Sequence, residues 1–184
     1  PFHLAAPLNC AAATIVAGWK AAELQACESV LIQGAGGLGC YAAGFASLAG
    51  AKRIIVTDIQ TERFELIQRF GATDCIDMSQ HDHEAALAHI GRLTDAVGVD
   101  SVLELAGVPS VVPFGLAALR KGGRYIEIGC SFPSALVEVD MSTILWNLLT
   151  LRGVHNYDFA DLRRAVEMVT QSFHRFPYAD LFAT

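Results

Sequence analysis

The glycine-rich stretch of residues 29–39 constrains the fold of this chain most strongly. An apolar run over 30–32 predicts a buried strand, and three glycines follow it in the pattern G-x-G-x-x-G, at Gly34, Gly36 and Gly39. An alanine-rich segment with helical character comes next, and a second predicted strand over 53–57 ends at Asp58, 19 residues after Gly39. A strand, a tight turn, a helix, a second strand and an acid in this order are typical of a dinucleotide-binding unit.

The glycines have separate physical roles in such a unit. The first allows a sharp turn, the second lets the backbone approach a pyrophosphate, and the third lets the helix pack against the strand. The helix then presents its free N–H groups and positive dipole end to the phosphates. We predict that this loop contacts a dinucleotide through Gly34, Gly36, Gly37, Leu38 and Gly39. A nucleotide-type α/β domain with another ligand, such as a methyltransferase, is the alternative at this point.

Asp58 bears on the choice of dinucleotide. It is either a solvated loop acid, a cap for the next helix, or an acceptor for both ribose hydroxyls, and its position relative to the glycines favours the ribose. Ile59 and Gln60 follow, so no cation stands directly where a 2′-phosphate would lie, and the acid would repel that phosphate. We therefore predict NAD rather than NADP, with Ile59 beside it. Arg63 lies along the ribose or is a surface charge.

Strands and helices alternate along the 184 residues, a length that suits one domain. The strands are mostly continuous apolar runs, which is typical of a parallel sheet covered on both faces. We predict an α/β fold: a Rossmann, doubly wound, parallel six-stranded sheet in three αβα layers. The predicted strands span 29–33, 53–57, 74–78, 100–105, 124–129 and 149–154. The predicted helices span 7–24, 37–49, 62–70, 83–96, 109–119, 142–147 and 159–173, and a loose tail spans 176–184.

Charge and cysteine content exclude several classes of function. The net charge is −6 with no long basic run, which argues against a nucleic-acid partner, and no apolar run is long enough to span a bilayer. Five scattered cysteines without a C-x-x-C pair predict neither a disulfide framework nor a zinc ribbon, and favour the reducing cytoplasm. The chain begins with Pro1 and shows no signal-peptide layout, so we expect a piece of a longer protein.

The ends of predicted strands four and five are a second candidate region. In an open α/β sheet the ligand lies outside the carboxyl ends of the strands. We expect the residues that close these strands to flank the nicotinamide end of the dinucleotide, with ordinary turn chemistry as the alternative: Leu105, Ala106, Gly107, Ile128, Gly129 and Cys130. Glu104 lies inside an apolar strand and is either a buried structural acid, which we favour, or a site residue.

Cys10 and the histidines are weaker candidates on their own. A lone cysteine in an alanine-rich helix is most often a small buried hydrophobe, and zinc needs three or four convergent ligands. The sequence offers Cys10 no obvious partners. His81, His83 and His89 fall on a loop and a polar helix, where we expect solvated surface.

Four blocks of the sequence resemble the medium-chain dehydrogenase/reductase superfamily, in its zinc-dependent alcohol dehydrogenase branch. The blocks are NCAAAT at 9–14, GAGGLG at 34–39, VLELAG at 102–107 and KGGRYIEIG at 121–129. Residues 152–162 resemble, more closely, alcohol dehydrogenases associated with phosphonate metabolism. The resemblance implies that residues 1–184 are a dinucleotide-binding domain that lacks the N-terminal catalytic domain of the longer protein.

The resemblance also assigns roles. It implies that Cys10, 24 residues before Gly34, is a ligand of the catalytic zinc, and that Thr14 is a catalytic-site residue near the nicotinamide. The implied reaction of the parent protein is NAD-dependent hydride transfer with a small alcohol or carbonyl substrate, in which zinc acts as a Lewis acid. The other zinc ligands would belong to the missing domain, so we expect this chain alone to bind NAD without catalysing. Strand six is expected to pair between copies in a homo-oligomer, with a plain edge strand shielded by loops as the alternative.

Two alternatives from other classes stay open. One is a non-catalytic NAD(H)-binding module that senses redox state and needs neither zinc nor Cys10. The other is a methyltransferase, which would bind S-adenosylmethionine and show no affinity for NADH.

Overall fold

Six parallel strands form one sheet in the computed structural model, which describes residues 5–133 and 135–182. The strands are β1 (Ser29–Gln33), β2 (Arg53–Asp58), β3 (Asp74–Asp77), β4 (Val99–Glu104), β5 (Leu119–Glu127) and β6 (Thr150–Gly153). Their order in the sheet is β3-β2-β1-β4-β5-β6, and every neighbouring pair is parallel. The winding therefore reverses between β1 and β4, which confirms the predicted doubly wound sheet and places the ligand-binding crevice at that point.

Helices cover both faces of the sheet. They are α1 (Ala11–Ala21), α2 (Gly37–Leu48), α3 (Phe64–Arg69), α4 (His83–Leu93), α5 (Val111–Ala118), α6 (Met141–Asn147) and α7 (Phe159–Ser172). Short 3-10 helices lie at Ala6–Asn9, Thr61–Arg63 and Tyr178–Phe182. Helices α1, α2, α3 and α7 contribute to the core on one face, and α4, α5 and α6 contribute to the core on the other. This is the predicted three-layer arrangement.

The strands are apolar along their whole length because both of their faces are buried. In β1, Val30 and Ile32 join the core on the α1 side, whereas Leu31 joins the core on the α5 side, and all three have no exposed surface. Successive side chains of a strand point to opposite faces, so a strand inside a three-layer fold has no polar side. Strand β6 differs, because all four of its residues are exposed at the edge of the sheet.

The predicted first helix is wrong in its bounds. A 3-10 helix ends at Asn9, Cys10 breaks the backbone pattern with φ −131° and ψ −73°, and α1 then ends at Ala21. Gly18 lies inside α1. A methyl group there would lie 2.8 Å from Cδ1 of Ile128, so the glycine lets α1 pack closely against the end of β5.

The C-terminal segment is packed rather than loose, contrary to the sequence-based expectation. Phe176 and Tyr178 are buried, and the Phe176 ring stacks on Phe70 with a centroid separation of 5.6 Å. Tyr41 stacks on Tyr178 at 5.8 Å, so this segment covers α2 and α3.

Strand β5 begins earlier than predicted, because it includes residues 119–123. Its pairing with β4 shifts register between Val99 and Ser101. Among residues 5–133 and 135–182, no helix is both long and apolar enough to cross a membrane.

Candidate functional site

The glycine loop joins the end of β1 to the start of α2. Gly34 has φ +112°, a backbone conformation that side chains disfavour, and an added Cβ would lie 3.1 Å from the backbone nitrogen of Ala106. A Cβ on Gly39 would collide with the carbonyl oxygen of Gly34. These two glycines are therefore required by the fold itself, through a left-handed turn and a close helix–strand approach.

Gly36 and Gly37 have no such structural reason. A Cβ on Gly36 would meet only Nη1 of Arg63 at 4.0 Å, and one on Gly37 would meet nothing within 4 Å. Gly36 is the N-cap of α2 and has no side-chain cap, so the first amides of this helix have no side-chain acceptor there. The open space in front of them suits an anionic group such as a pyrophosphate. Leu38 packs against the core and can offer only its backbone.

Asp58 connects β2 to this loop. Its Oδ2 accepts a hydrogen bond from the backbone N–H of Ala35 at 2.6 Å, and its Oδ1 accepts one from that of Gln60 at 2.9 Å. Nη1 of Arg63 lies 3.7 Å from Oδ2. The sequence predicted Asp58 at the ribose but not this structural role. An ionised carboxylate accepts about four hydrogen bonds, so the two roles are compatible.

A cavity of about 550 Å³ opens beside the glycine loop, at the carboxyl ends of β1, β2, β3 and β4. Four of the predicted site residues line it: Gly34, Asp58, Ile59 and Ala106. Sequence reasoning missed the other lining residues, which are Gln33, Thr57, Met78, His81, Asp82, His83, Val108, Ser110, Val111 and Phe114. The signal that could have found many of them is their position just after a strand, at the edge where ligands bind in such sheets.

The two histidines of the cavity had been predicted as solvated surface. Both are exposed, but they stand at this cavity rather than on a featureless face. Nδ1 of His81 lies 2.9 Å from the carbonyl oxygen of Asp77, and the His83 ring lies 5.1 Å from that of Phe114. The cavity therefore has an aromatic wall on one side and the Asp58 carboxylate on another.

The residues that close β4 and β5 come together, as the strand order requires. The N–H of Gly107 donates to Oε1 of Glu104 at 2.7 Å, and a Cβ on Gly107 would lie 2.8 Å from the carbonyl oxygen of Gly129. Of the six residues predicted at the nicotinamide end, Ala106 alone lines the cavity, while Leu105 and Ile128 pack against the core. Their contact with a nicotinamide stays a prediction.

Glu104 is fully buried, in agreement with its interpretation as a structural acid. Burial, and then the neighbouring carboxylate of Glu127, raise the pKa of Glu104 to about 7. The N–H of Cys130 donates to Oε1 of Glu127 at 2.9 Å, and burial raises the pKa of the Cys130 thiol to about 11. Among the described residues, the buried Oε2 of Glu104 has no hydrogen-bond partner, so a structural role does not account for the whole side chain.

Cys10 lies at the same edge of the sheet. Tyr157, which follows β6, donates its hydroxyl to the carbonyl oxygen of Asn9, and Cys10 is exposed at the start of α1. Thr14 is buried one turn further on, and its N–H donates to the carbonyl oxygen of Cys10 at 3.2 Å. Within the described part of the chain, Cys10 belongs to no group of three metal-ligating side chains. Cys10 therefore fits a zinc site only if residues beyond the described part of the chain supply the remaining ligands.

Comparison with known sequences identifies the family. The family described as zinc-binding dehydrogenase matches residues 37–171. The chain belongs to the zinc-binding dehydrogenase family. The match begins after Cys10 and Thr14, so it leaves their predicted roles untested.

Curated relatives of this family member include two bacterial L-threonine 3-dehydrogenases. The enzyme of Colwellia psychrerythraea is 30% identical over 145 residues, which cover 79% of this chain and 41% of the relative. That of Burkholderia ambifaria is 34% identical over 128 residues, which cover 70% of this chain and 36% of the relative. The aligned residues thus cover less than half the length of each of these relatives.

Solved structures of the family have the same fold. An alcohol dehydrogenase of Thermotoga maritima matches with a TM-score of 0.90 at 25% identity, over 95% of this chain and 48% of that one. A benzyl alcohol dehydrogenase of Acinetobacter calcoaceticus matches with a TM-score of 0.85 at 28% identity, over 98% and 49%. A protein of Sinorhizobium meliloti, described as a candidate zinc-binding dehydrogenase bound to NADP, matches with a TM-score of 0.83 at 27% identity, over 92% and 49%.

Proposed function

We propose that residues 1–184 are the NAD(H)-binding domain of a zinc-dependent, alcohol dehydrogenase-like oxidoreductase. The observation that carries the proposal is the open space in front of Gly36 and Gly37 at the start of α2. Neither glycine is needed for packing, and the exposed amides there face the side from which a pyrophosphate would approach.

The remaining parts of the dinucleotide follow from this anchor. The adenosine half occupies the 550 Å³ cavity, with its ribose hydroxyls at Asp58. The nicotinamide half extends toward the ends of β4 and β5, near Ala106 and Gly129. This direction follows because the phosphates sit at the reversal between β1 and β4.

Asp58 favours NAD over NADP in this proposal. A carboxylate beside the ribose repels a 2′-phosphate, and the nearby Arg63 guanidinium, at 3.7 Å, is already directed toward that carboxylate. The Sinorhizobium meliloti protein is bound to NADP, so the preference of this chain is a matter for direct measurement.

The parent reaction is hydride transfer between a small alcohol or carbonyl compound and the nicotinamide. Cys10 would supply one zinc ligand and Thr14 would stand near the nicotinamide, while the other ligands would come from the part of the relatives that this chain does not span. Zinc, when bound, supplies Lewis-acid activation of the substrate oxygen. This chain alone would hold and orient the cofactor without turning over alcohol.

Strand β6 is the proposed contact between two copies of the chain. Its four residues are exposed at the sheet edge, and Leu151 is 47% exposed. Leu145, Trp146 and Leu148 just before it are also strongly exposed. An uncovered apolar edge favours pairing with another strand, and a twofold axis would pair β6 with its own copy. The five free cysteines fit the proposed cytoplasmic location.

Substitution of Asp58 tests the cofactor assignment. The wild-type chain should bind NADH about tenfold or more tightly than NADPH, and Asp58→Asn should shift that ratio toward NADPH by about tenfold, since a charge repulsion is removed. Cofactor fluorescence titration measures both affinities. Asp77→Asn is the matched control, because Asp77 ends the neighbouring strand in register with Asp58 and its side chain binds Ser79 instead. An unchanged ratio in Asp58→Asn, or an equal change in Asp77→Asn, would contradict the assignment.

Zinc content and alcohol oxidation separate the enzyme from the redox-sensing module. A longer protein that contains this domain should hold zinc and oxidise an alcohol with NAD, and both should fail in Cys10→Ala. A protein that binds NADH tightly and keeps that property unchanged without zinc or Cys10, and oxidises no alcohol, would be the redox-sensing module.

A further inference from the structure

A cluster of three metal-ligating side chains lies where β4 and β5 end. Glu104 and Glu127 are partners in the register of these neighbouring parallel strands, so their side chains project to the same face. Cys130 follows β5 and turns back, with its N–H bonded to Glu127. One ligand atom from each of the three lies within 4.8 Å of those of the other two.

One carboxylate oxygen of this cluster has no hydrogen-bond partner within the part of the chain that the structure describes. Glu104 is fully buried, and its Oε1 accepts from the N–H of Gly107 at 2.7 Å, but its Oε2 has no hydrogen-bond partner. A buried carboxylate oxygen without a partner is strongly unfavourable. A Cβ on Gly129 would collide with this same oxygen, so the glycine keeps the space in front of it clear.

We propose that Glu104, Glu127 and Cys130 bind one divalent transition-metal ion of the zinc class. A thiolate combined with two carboxylates suits Zn²⁺, Co²⁺ or Cd²⁺, whereas Mg²⁺ and Ca²⁺ prefer sites made only of oxygen. The ion would be coordinated by a lone pair of Glu104 Oε2. Its positive charge would offset the negative charge of the three ligands. Cys10 is not one of the three, and the proposal does not depend on the proposed cofactor.

The geometry requires little movement. Zinc binds sulfur at about 2.3 Å and carboxylate oxygen at about 2.0–2.2 Å, so ligand atoms of a tetrahedral site lie roughly 3.3–3.8 Å apart. Closing from the present limit of 4.8 Å needs about 1.5 Å of side-chain movement at most. Glu127 and Cys130 are half-buried, so this side of the cluster is partly open to solvent.

Cobalt titration of the chain without nucleotide tests the site. The starting variant is Cys10→Ser, which removes the other proposed metal-binding thiol. We expect it to bind one Co²⁺ per chain with a thiolate-to-cobalt absorption band, and to lose the band when Zn²⁺ but not Mg²⁺ is added. Adding Cys130→Ser should abolish the band, whereas adding Cys27→Ser, which removes an exposed thiol, should preserve it.

A second substitution keeps the test valid if Cys130→Ser folds poorly. Glutamine at position 104 can still accept from Gly107 through Oε1, so Glu104→Gln in the Cys10→Ser chain should fold. It should bind Co²⁺ at least about tenfold more weakly, because a carboxylate ligand is lost. Thermal melting should show stabilisation by Zn²⁺ in Cys10→Ser and a smaller one after Glu104→Gln is added.

Two results would overturn the metal site. One is the absence of saturable Co²⁺ binding by the folded Cys10→Ser chain. A proton shared by the two carboxyl groups, and not a metal ion, would then stabilise the buried Glu104. The other is a cobalt band that survives Cys130→Ser. Because no nucleotide is present in these measurements, either result would leave the proposed cofactor function untouched.

Discussion

The four glycines of the loop look alike in sequence, but only two of them are required by the fold. Gly34 and Gly39 are required by the fold. Gly34 has a positive φ, and at Gly39 helix α2 lies against the carbonyl of Gly34. A Cβ on Gly36 would meet only Nη1 of Arg63 at 4.0 Å, and a Cβ on Gly37 would meet no described atom within 4 Å. At the scale of single residues, this difference separates folding from binding.

Alanine substitutions should separate the two kinds of glycine. Gly37→Ala should leave the thermal unfolding midpoint nearly unchanged and weaken NADH binding by about tenfold or more, since its methyl group would stand where the pyrophosphate approaches. Gly39→Ala should lower the free energy of unfolding by about 3 kcal/mol or more, because backbone has to move. Circular dichroism melts and NADH titrations measure these effects. Equal loss of stability in both variants would contradict the division.

At the residue scale, the sequence predicts which residues lie together where they are local in the chain, and their role in binding stays a prediction. The loop glycines and Asp58 belong to one strand–turn–helix–strand unit, so their spacing alone brings them together. His83 and Phe114 meet only because β3 and β4 end at the same edge of the sheet, and a single sequence does not show that order. The pairing of Glu104 with Glu127 likewise depends on strand register.

At the scale of elements, the C-terminal segment after α7 is the part that sequence patterns describe worst. It has no regular apolar period, yet Phe176 and Tyr178 are 6% and 3% exposed and pack against α2 and α3. Gly44 of α2 permits this, because a Cβ there would already touch the Phe176 ring at 3.4 Å. The segment is therefore part of the core on that face.

Removal of the Phe176 ring from this segment should destabilise the folded chain. Phe176→Ala should lower the free energy of unfolding by about 3–5 kcal/mol, because it leaves a cavity between Phe70 and Tyr178. Phe173→Ala is the control, since Phe173 is 43% exposed and should cost about 1 kcal/mol or less. Urea denaturation measures both. Equal, small losses would show that the segment is loose, as the sequence first indicated.

Edge strand β6 provides the other prediction at this scale. Leu151→Asp should convert a dimeric chain to a monomer, since it places a charge in the proposed strand pairing. Val166→Asp on α7 is the control, because Val166 is 42% exposed and lies on a helix. Light scattering after size-exclusion chromatography gives the mass. A monomeric wild-type chain, or a dimer that survives Leu151→Asp, would contradict pairing through β6.

At the scale of the whole molecule, we propose that the chain holds one half of an active site. Alternating apolar runs and helices were sufficient to predict the α/β class, and the sheet order fits it. The glycine loop, the Asp58 carboxylate and the cavity all lie at one edge of the sheet. The alignments cover 41% and 36% of two curated relatives, so substrate and zinc chemistry stay part of the proposed function.

NADH titration of the purified wild-type chain tests the central claim most directly. The NADH fluorescence should change saturably at one site per folded chain, and S-adenosylmethionine should neither bind nor displace the NADH. Circular dichroism on the same sample establishes that the chain is folded. A folded chain with no saturable NADH signal, or one that binds S-adenosylmethionine in its place, would contradict the account.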